Sequence, residues 1–215
     1  MAESVFRCWG GPSDPMGAYH DGEWGRPVTS EAGLFERVCL EAFQAGLSWS
    51  LVLSRREALR AALAGFDVQA LARMGPADVE RLLGAEGMIR NRAKLSATLS
   101  NARATLALRE AGSSLPALIW SHRPAPLPAP SGREQVRSDC AEARALAAGL
   151  RARGFRFVGP TTAYALMQAA GLVNDHLLGC FVREEVDAAQ REAARVLGVA
   201  AASAQAQESR GPTTS

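Results

Sequence analysis

The stretch Glu41-Ala-Phe-Gln-Ala-Gly-Leu-Ser-Trp49 joins two segments that both carry a helical pattern of apolar residues. The first helix is predicted from about Ser30 to Ala45, and a period of 3.6 residues places Glu41 within its apolar face. Burial of a carboxylate costs on the order of several kcal/mol unless hydrogen-bond donors surround it. Gly46 is expected to end this helix, and Ser48 is expected to cap the next one.

Trp49 therefore stands at the start of a rigid element close to Glu41. An acid beside an aromatic face suits a pocket for a planar, hydrogen-bonding or cationic group. The alternative is purely structural, with Glu41 paired to an arginine beneath a core tryptophan, since buried ion pairs produce the same pattern. This segment alone leaves both interpretations open.

The composition is that of a globular protein. The 215 residues suffice for one sizeable domain or two small ones, and the net charge of +2 does not by itself indicate a nucleic-acid partner. There is no run of about 18 apolar residues and no secretory signal, so a cytoplasmic protein without a membrane partner is expected. Lys94 is the single lysine among 24 basic residues, and the four cysteines are expected to be free thiols or metal ligands.

Alanine and leucine are abundant and no strand-like alternation persists, so the fold class is predicted to be all-α. An irregular start to residue 29 is expected, followed by the helix that contains Glu41. Further helices are predicted over 48–64, from Asp67, from Pro76 and over 90–111. One short helix and a proline-rich loop at 115–137 then lead to a helix over 138–153. A hairpin at 154–162 then leads into a helix to about Ala170. After Glu184 one more helix is predicted, and residues 200–215 are expected to be disordered.

The predicted helix from Arg90 begins with Arg90, Arg92 and Lys94, which oppose the positive end of its own dipole. A nearby anion such as a DNA phosphate would make this arrangement favourable. A solvated basic turn is the alternative, because exposed charges at a helix end cost only about 0.3–1 kcal/mol.

His176 and Cys180 are four residues apart, while Cys8 and His20 lie near the other end of the chain. Two cysteines and two histidines complete a closed tetrahedral zinc site of the structural type. Such a site would join the N-terminal segment to the C-terminal one. The alternative is four unrelated residues, with cysteines as small core side chains, which suits Cys39 and Cys140.

Longer motifs occur along most of the chain: Cys8-Trp9, Tyr19-His20-Asp21-Gly22-Glu23-Trp24-Gly25, Leu40-Glu41, Gln44-Ala45-Gly46-Leu47-Ser48-Trp49, Arg90-Asn91-Arg92-Ala93-Lys94, Asn101-Ala102-Arg103-Ala104, and the segments 153–162 and 167–176. Together they resemble the 3-methyladenine DNA glycosylase I family over residues 7–180.

The resemblance implies a helix-hairpin-helix fold with two helical lobes. It places the glycosylase domain at 1–183, the helix-hairpin-helix at about 139–170 and a C-terminal extension at 184–215. It further implies a structural zinc on Cys8, His20, His176 and Cys180. The implied partner is double-stranded alkylated DNA, bound by a monomer.

The implied activity is hydrolysis of the N-glycosidic bond of 3-methyladenine after base flipping, without lyase activity. Glu41 would be the catalytic group, with Tyr19, Trp49 and Trp9 around the base. Phosphate contacts are expected at Gly159, Thr161, Arg90 and Lys94, and Leu47 is a candidate wedge into the duplex, although a core role for it is equally compatible.

Some positions depart from the family or limit the chemistry. Met16 stands where the family commonly has an aromatic residue, and the spacing from Cys8 to His20 is one residue shorter than expected. Asn174 occupies the place of the catalytic aspartate of related hairpin glycosylases, and Asp175 is expected behind a metal-bound imidazole.

Two other classes of protein remain open at this stage. One is a DNA-binding module without catalysis, against which the joint presence of Glu41, Trp49 and Tyr19 argues. The other is a hydrolase of free nucleosides, which would leave the basic segment at residues 90–94 and the hairpin without a purpose.

Overall fold

The computed structural model describes residues 5–199, and within that range it contains helices and no strand. The α-helices are α1 Pro15–Gly22, α2 Glu31–Gln44, α3 Trp49–Ala62, α4 Val68–Arg73, α5 Pro76–Leu83, α6 Arg92–Glu110, α7 Leu115–Trp120, α8 Ala141–Ala152, α9 Pro160–Ala169 and α10 Arg183–Val196. Short 3-10 helices span Ala64–Phe66 and Arg133–Gln135. The prediction of an all-helical chain is confirmed. None of the helices in this range has the length and apolar content needed to cross a membrane.

Polar caps set most of the helix starts. The side chains of Ser48 and Asp67 accept hydrogen bonds from the amides of Leu51 and Ala70, as the sequence predicts. Asn91 caps α6, so that helix begins at Arg92 rather than at the predicted Arg90. The helix predicted over 138–153 also begins later, because Cys140 caps α8 with its sulfur, which accepts from the Ala143 amide.

Helix α2 occupies the centre of the molecule. It packs against α3 and α6 on one side and against α7 and α9 on the other. Helices α4 and α5 pack onto α6, whereas α7 and α9 both pack against α8, which gives the two groups of helices predicted as lobes. Residues Leu34, Phe35, Val38, Leu40 and Phe43 of α2 are buried in the shared core. The helix that carries Glu41 is therefore fixed from several directions.

The start of the chain is less irregular than predicted, because residues 15–22 form α1. Asp14 caps this helix and Pro15 occupies its first turn. A Cβ on Gly17 would lie 1.7 Å from the Gly11 carbonyl oxygen, so the close approach of these two segments requires glycine there. The helix buries Tyr19 and His20, two of the residues singled out from the sequence.

Helix α10 is the helix predicted after Glu184, and it packs onto the body of the protein. The buried amide of Gln190 donates to the carbonyl oxygens of Gly25 and Val173 at 2.7 and 2.9 Å. Arg26 pairs with Glu185 at 2.7 Å. Residues on both sides of the predicted boundary at residue 183 therefore pack against each other. The segment expected to be disordered, residues 200–215, lies outside the described residues.

Candidate active site and metal centre

A cavity of about 350 Å³ opens beside the C-terminal end of α2. Glu41 and Gln44 of α2, Trp49 of α3 and Tyr19 of α1 contribute to its wall. Its other lining residues are Cys8, Trp9, Met16, Trp24, Arg133, Val136, Ala165, Gln168, Asp175 and Leu177. The structure therefore brings together the acid and the three aromatic residues predicted for the base pocket, and Met16 also lies at its wall.

Glu41 is 5% exposed, and its Oε2 has no hydrogen-bond partner among the described residues. Burial raises the pKa of Glu41 to about 8, although the charge of Arg37 acts in the opposite direction. The arginine-paired alternative is not what the structure has: the guanidinium of Arg37 donates to the carbonyl oxygens of Ala169 and Gly33. The carboxyl group of Glu41 is available to a ligand.

Aromatic rings form the surface next to Glu41. The ring centroids of Tyr19 and Trp49 are 4.9 Å apart, and those of Trp9 and Tyr19 are 6.1 Å apart. The indole Nε1 of Trp49 is buried without a hydrogen-bond partner in the described chain. A buried N–H without an acceptor costs on the order of 1–3 kcal/mol, so a donor and an acceptor without partners in one cavity indicate a ligand that satisfies both.

Next to this cavity the N-terminal segment around Cys8 and His20 meets residues 176–180 at a buried group of cysteines and histidines. The sulfur atoms of Cys8 and Cys180 and one ring nitrogen each of His20 and His176 lie within 4.8 Å of one another. The Nε2 of His20 is 3.1 Å from the Nδ1 of His176, and the sulfur–nitrogen distances include 3.5, 3.6 and 3.7 Å. A tetrahedral ion with bonds of about 2.0–2.3 Å separates its ligand atoms by about 3.3–3.8 Å. The group fits a metal ion.

The outer nitrogen of each imidazole has an acceptor. The Nδ1 of His20 is 2.7 Å from Asp21, which Arg7 holds with two further hydrogen bonds, and the Nε2 of His176 is 3.1 Å from the Trp24 carbonyl oxygen. This fixes the ring tautomers so that His20 offers Nε2 and His176 offers Nδ1. Burial lowers the pKa of His176 to about 4, which keeps it in the neutral form that binds metals.

Residues 173–180 contain no helix, and residues 178 and 179 form a turn with Gly179 at a φ of +82°. One expectation about this region is wrong. Asp175 does not lie behind an imidazole, because its Oδ2 accepts from Tyr164 and Gln168 at 2.8 and 2.7 Å. Asp21 holds that role for His20, and its position directly after a candidate ligand was a signal that could have identified it.

Gln168 and Gln44 were missed from the sequence although both line the cavity. Gln44 follows Glu41 by three residues, so the helical period places the two side chains on neighbouring positions of one face. Gln168 had no comparable signal, because its place depends on how α9 packs against α2.

The connection between α8 and α9 is held in a defined shape. The side chain of Asn101, fully buried on α6, accepts from the Arg156 amide at 2.7 Å and donates to the Arg156 carbonyl at 3.2 Å. Phe157, the next residue, is 40% exposed at a φ of +57°. Gly159 then caps α9, with Thr161 exposed in its first turn.

The predicted DNA-contacting residues divide into two groups. Arg90 is exposed and Leu47 is 36% exposed, so the core alternative for Leu47 is excluded. Lys94, in contrast, is 5% exposed, and its Nζ donates to the carbonyl oxygens of Phe43 and Ala45. The expectation that Lys94 faces a phosphate is wrong, because its ammonium group is enclosed at the end of α2.

A cavity with an unpartnered acid and an unpartnered indole, in an all-helical body, suits a planar base as its ligand. Comparison with known proteins gives the particular family. The sequence model described as methyladenine glycosylase matches residues 9–184, and the chain belongs to that family.

Individual relatives agree with this assignment. The chain is 45% identical over 178 residues to DNA-3-methyladenine glycosylase 1 of Escherichia coli K12, covering 81% of this chain and 95% of that protein. A crystal structure of 3-methyladenine DNA glycosylase I superposes with a TM-score of 0.78 at 46% identity, over 82% of this chain and 98% of the other. A Staphylococcus aureus structure described as the structural basis of 3-methyladenine recognition matches at 31% identity, with a TM-score of 0.77 and coverage of 82% and 96%.

Proposed function

We propose that this protein removes 3-methyladenine from alkylated double-stranded DNA by flipping the damaged nucleotide into the cavity and hydrolysing its N-glycosidic bond. The observation that carries the proposal is the presence of an unpartnered acceptor, Glu41 Oε2, and an unpartnered donor, Trp49 Nε1, at the wall of one cavity. Membership of the methyladenine glycosylase family supports the choice of base.

A nucleotide methylated at N3 of adenine carries positive charge in its ring, so the base is a good leaving group without protonation. The positive charge of a base in the cavity lowers the raised pKa of Glu41, and the resulting carboxylate attracts that charge and accepts hydrogen bonds from the amino edge of the base. The rings of Tyr19 and Trp49 stack on an electron-poor purine more favourably than on a neutral one. Burial raises the pKa of the Tyr19 phenol, which therefore stays protonated.

The reaction needs no group transfer to the enzyme. The bond between the sugar C1′ and the purine nitrogen breaks, and its electron pair neutralises the cationic ring. Water supplies the oxygen that bonds to C1′, and its proton passes to solvent. Glu41 contributes most where the sugar becomes cationic in the transition state, because the nearby negative charge is poorly screened in a buried site.

The metal proposed for Cys8, His20, His176 and Cys180 is zinc, which favours two thiolates and two imidazoles in a tetrahedron. With four protein ligands it leaves no position for water, so its contribution is a cross-link and not chemistry. These ligands tie residue 8 to residues 176–180 directly behind the cavity wall, where Cys8 and Leu177 also line the pocket.

DNA would be held by the helix-hairpin-helix formed by α8 and α9. Amides at Gly159 and Thr161 precede or begin α9, where the helix dipole favours a phosphate. Arg90 and Leu47 are exposed for contact with the backbone and the duplex respectively. Lys94, the single lysine, is engaged by two carbonyls, which supports a monofunctional enzyme without Schiff-base chemistry. The protein is proposed to act as a cytoplasmic monomer.

The test is release of free bases from duplex DNA treated with a methylating agent, comparing the wild type with Glu41→Gln and with Glu57→Gln, an exposed control on α3. The wild type and the control should release 3-methyladenine, and Glu41→Gln should be slower by at least tenfold. DNA binding without release would leave a binding module, and hydrolysis of the free nucleoside at a rate equal to that on DNA would reassign the substrate. A borohydride-trapped adduct would contradict the monofunctional mechanism.

A further inference from the structure

Arg133 is the single cationic side chain that lines the base cavity among the described residues. It begins the short 3-10 helix Arg133–Gln135 in the proline-rich connection and is exposed to solvent. Its Nε and Nη2 both donate to the carbonyl oxygen of Cys8, at 3.2 and 2.7 Å. Neither an ion pair with a carboxylate nor a partner for its Nη1 occurs within residues 5–199.

The segment that carries Arg133 is attached to the body at several points. The Pro130 carbonyl oxygen accepts from the amide of Leu178 at 2.8 Å, and within the segment the Ser131 amide donates to the Gln135 side chain at 2.8 Å. Val136 packs against the small apolar cluster around the ligand group and also lines the cavity. The guanidinium is therefore held at the cavity rim in a fixed orientation, rather than sampling solvent like an ordinary surface arginine.

A fixed cation at the wall of a pocket for a cationic base is unfavourable unless an anion accompanies the ligand. A flipped nucleotide supplies one, since its sugar lies at the mouth and its two phosphates lie next to the sugar. The Nε and Nη2 donors of Arg133 share one carbonyl, and this leaves Nη1 and the outer face of the guanidinium free. Guanidinium groups bind phosphate oxygens with charge-assisted hydrogen bonds.

We propose that Arg133 binds a backbone phosphate adjacent to the flipped nucleotide, while the Cys8 carbonyl holds its side chain in place. This inference rests on the proposed function, because it assumes a nucleotide in the cavity. Arg133 then positions the phosphate at the rim of the cavity, while Glu41 receives the positive charge of the base within the cavity. Arg133 is then a substrate-binding residue supplied by the proline-rich connection rather than by the hairpin.

Salt dependence tests this contact, because each phosphate neutralised by the protein contributes about 0.9 to the slope of log affinity against log salt concentration. The probe is a duplex with a tetrahydrofuran abasic-site analogue, titrated between low and moderate salt. The variants are Arg133→Gln and Arg137→Gln. Arg137 is an exposed arginine of the same connection that does not line the base cavity.

Arg133→Gln should reduce the magnitude of the slope by about 0.9 and weaken binding severalfold at moderate salt, whereas Arg137→Gln should change neither by a comparable amount. Inhibition by free 3-methyladenine, which lacks a phosphate, should be unchanged in Arg133→Gln. An unchanged slope, or an equal change in both variants, would overturn the proposal. The proposal would also be overturned if Arg133→Gln bound DNA more weakly and melted at a lower temperature while the slope stayed unaltered, because Arg133 would then act only through its contact with Cys8. If the wild type releases no 3-methyladenine, the proposed function fails independently of this comparison.

Discussion

The Nζ of Lys94 lies 2.5 Å from the carbonyl oxygen of Ala45, just beyond the C-terminal end of α2. It also lies 2.7 Å from the carbonyl oxygen of Phe43. The end of a helix carries partial negative charge and carbonyls without intrahelical partners, so a buried ammonium there satisfies both. Because Glu41 belongs to the last turn of α2, Lys94 fixes the helix end that supplies the acid of the cavity.

Replacement of Lys94 by methionine should destabilise the protein by about 1–3 kcal/mol, because the buried carbonyl of Phe43 loses its donor. Base release should fall further than the folded fraction does, since the end of α2 then loses its anchor. Urea unfolding and single-turnover base release measure the two effects. Arg92→Gln is the matched control, because Arg92 is exposed on the same helix and pairs only with Glu80. Equal losses in both variants would contradict the anchoring role.

Lys94 also shows where sequence reasoning ends. Its position near the start of α6 was visible, and the local dipole argument offered a negatively charged partner as one of two alternatives. That partner is the C-terminal end of α2, some 50 residues earlier in the chain, and not a phosphate. Periodicity placed Glu41 in an apolar face because that depends on one helix alone. Which helix end lies against Lys94 depends on packing between helices.

The same distinction applies to the ligand group and to α1. Cysteine and histidine were recognised by type, and the family resemblance joined them. Asp21 follows His20 directly and could have been identified, but only the fold shows that the Trp24 carbonyl orients His176. Helix α1 was missed because it has eight residues, two of which are glycines, and little apolar patterning. Caps such as Ser48 were predictable because a cap acts over three residues.

The buried carboxyl of Glu41 should make stability depend on pH. Its pKa is raised from 4.5 to about 8, so the folded state holds this proton more tightly than the unfolded state does. Folding is therefore favoured below pH 4.5, and that contribution is lost as pH rises from 4.5 to about 8. At pH 8, Glu41→Gln should be more stable than the wild type by a few kcal/mol, because each unit of pKa shift corresponds to about 1.4 kcal/mol. At pH 4.5 the two proteins should be nearly equal in stability.

Urea unfolding at both pH values measures this difference, with Glu57→Gln as a control in which the exposed carboxylate should change stability by less than about 0.5 kcal/mol at either pH. A Glu41→Gln variant that is less stable at pH 8 would mean that the carboxylate has a stabilising partner in the folded protein.

Removal of the metal should loosen the contact between the N-terminal segment around Cys8 and residues 176–180. A chelator is expected to lower the melting temperature of the wild type, because a bound structural ion stabilises only the folded state. Cys8→Ala should melt at a lower temperature without chelator and should respond to it less. Cys140→Ala is the control, since Cys140 caps α8 and is not part of the ligand group. Metal content by elemental analysis should be one zinc per chain in the wild type and control, and melting curves indifferent to chelator would exclude the site.

Asn101→Ala should weaken binding to DNA without disturbing the base pocket. The buried amide of Asn101 satisfies both backbone groups of Arg156, and its loss releases the hairpin that presents Phe157, Gly159 and the start of α9. Affinity for duplex DNA should fall about tenfold, uniformly across sequences, because contacts to the phosphate backbone carry no sequence information. Inhibition by free 3-methyladenine should stay at the wild-type level, since Asn101 does not line the cavity.

Ser100→Ala, which removes only a 3.4 Å bond to the Gly154 carbonyl at the surface, should have a much smaller effect. If the two variants weaken DNA binding equally, the hairpin does not depend on the Asn101 contact.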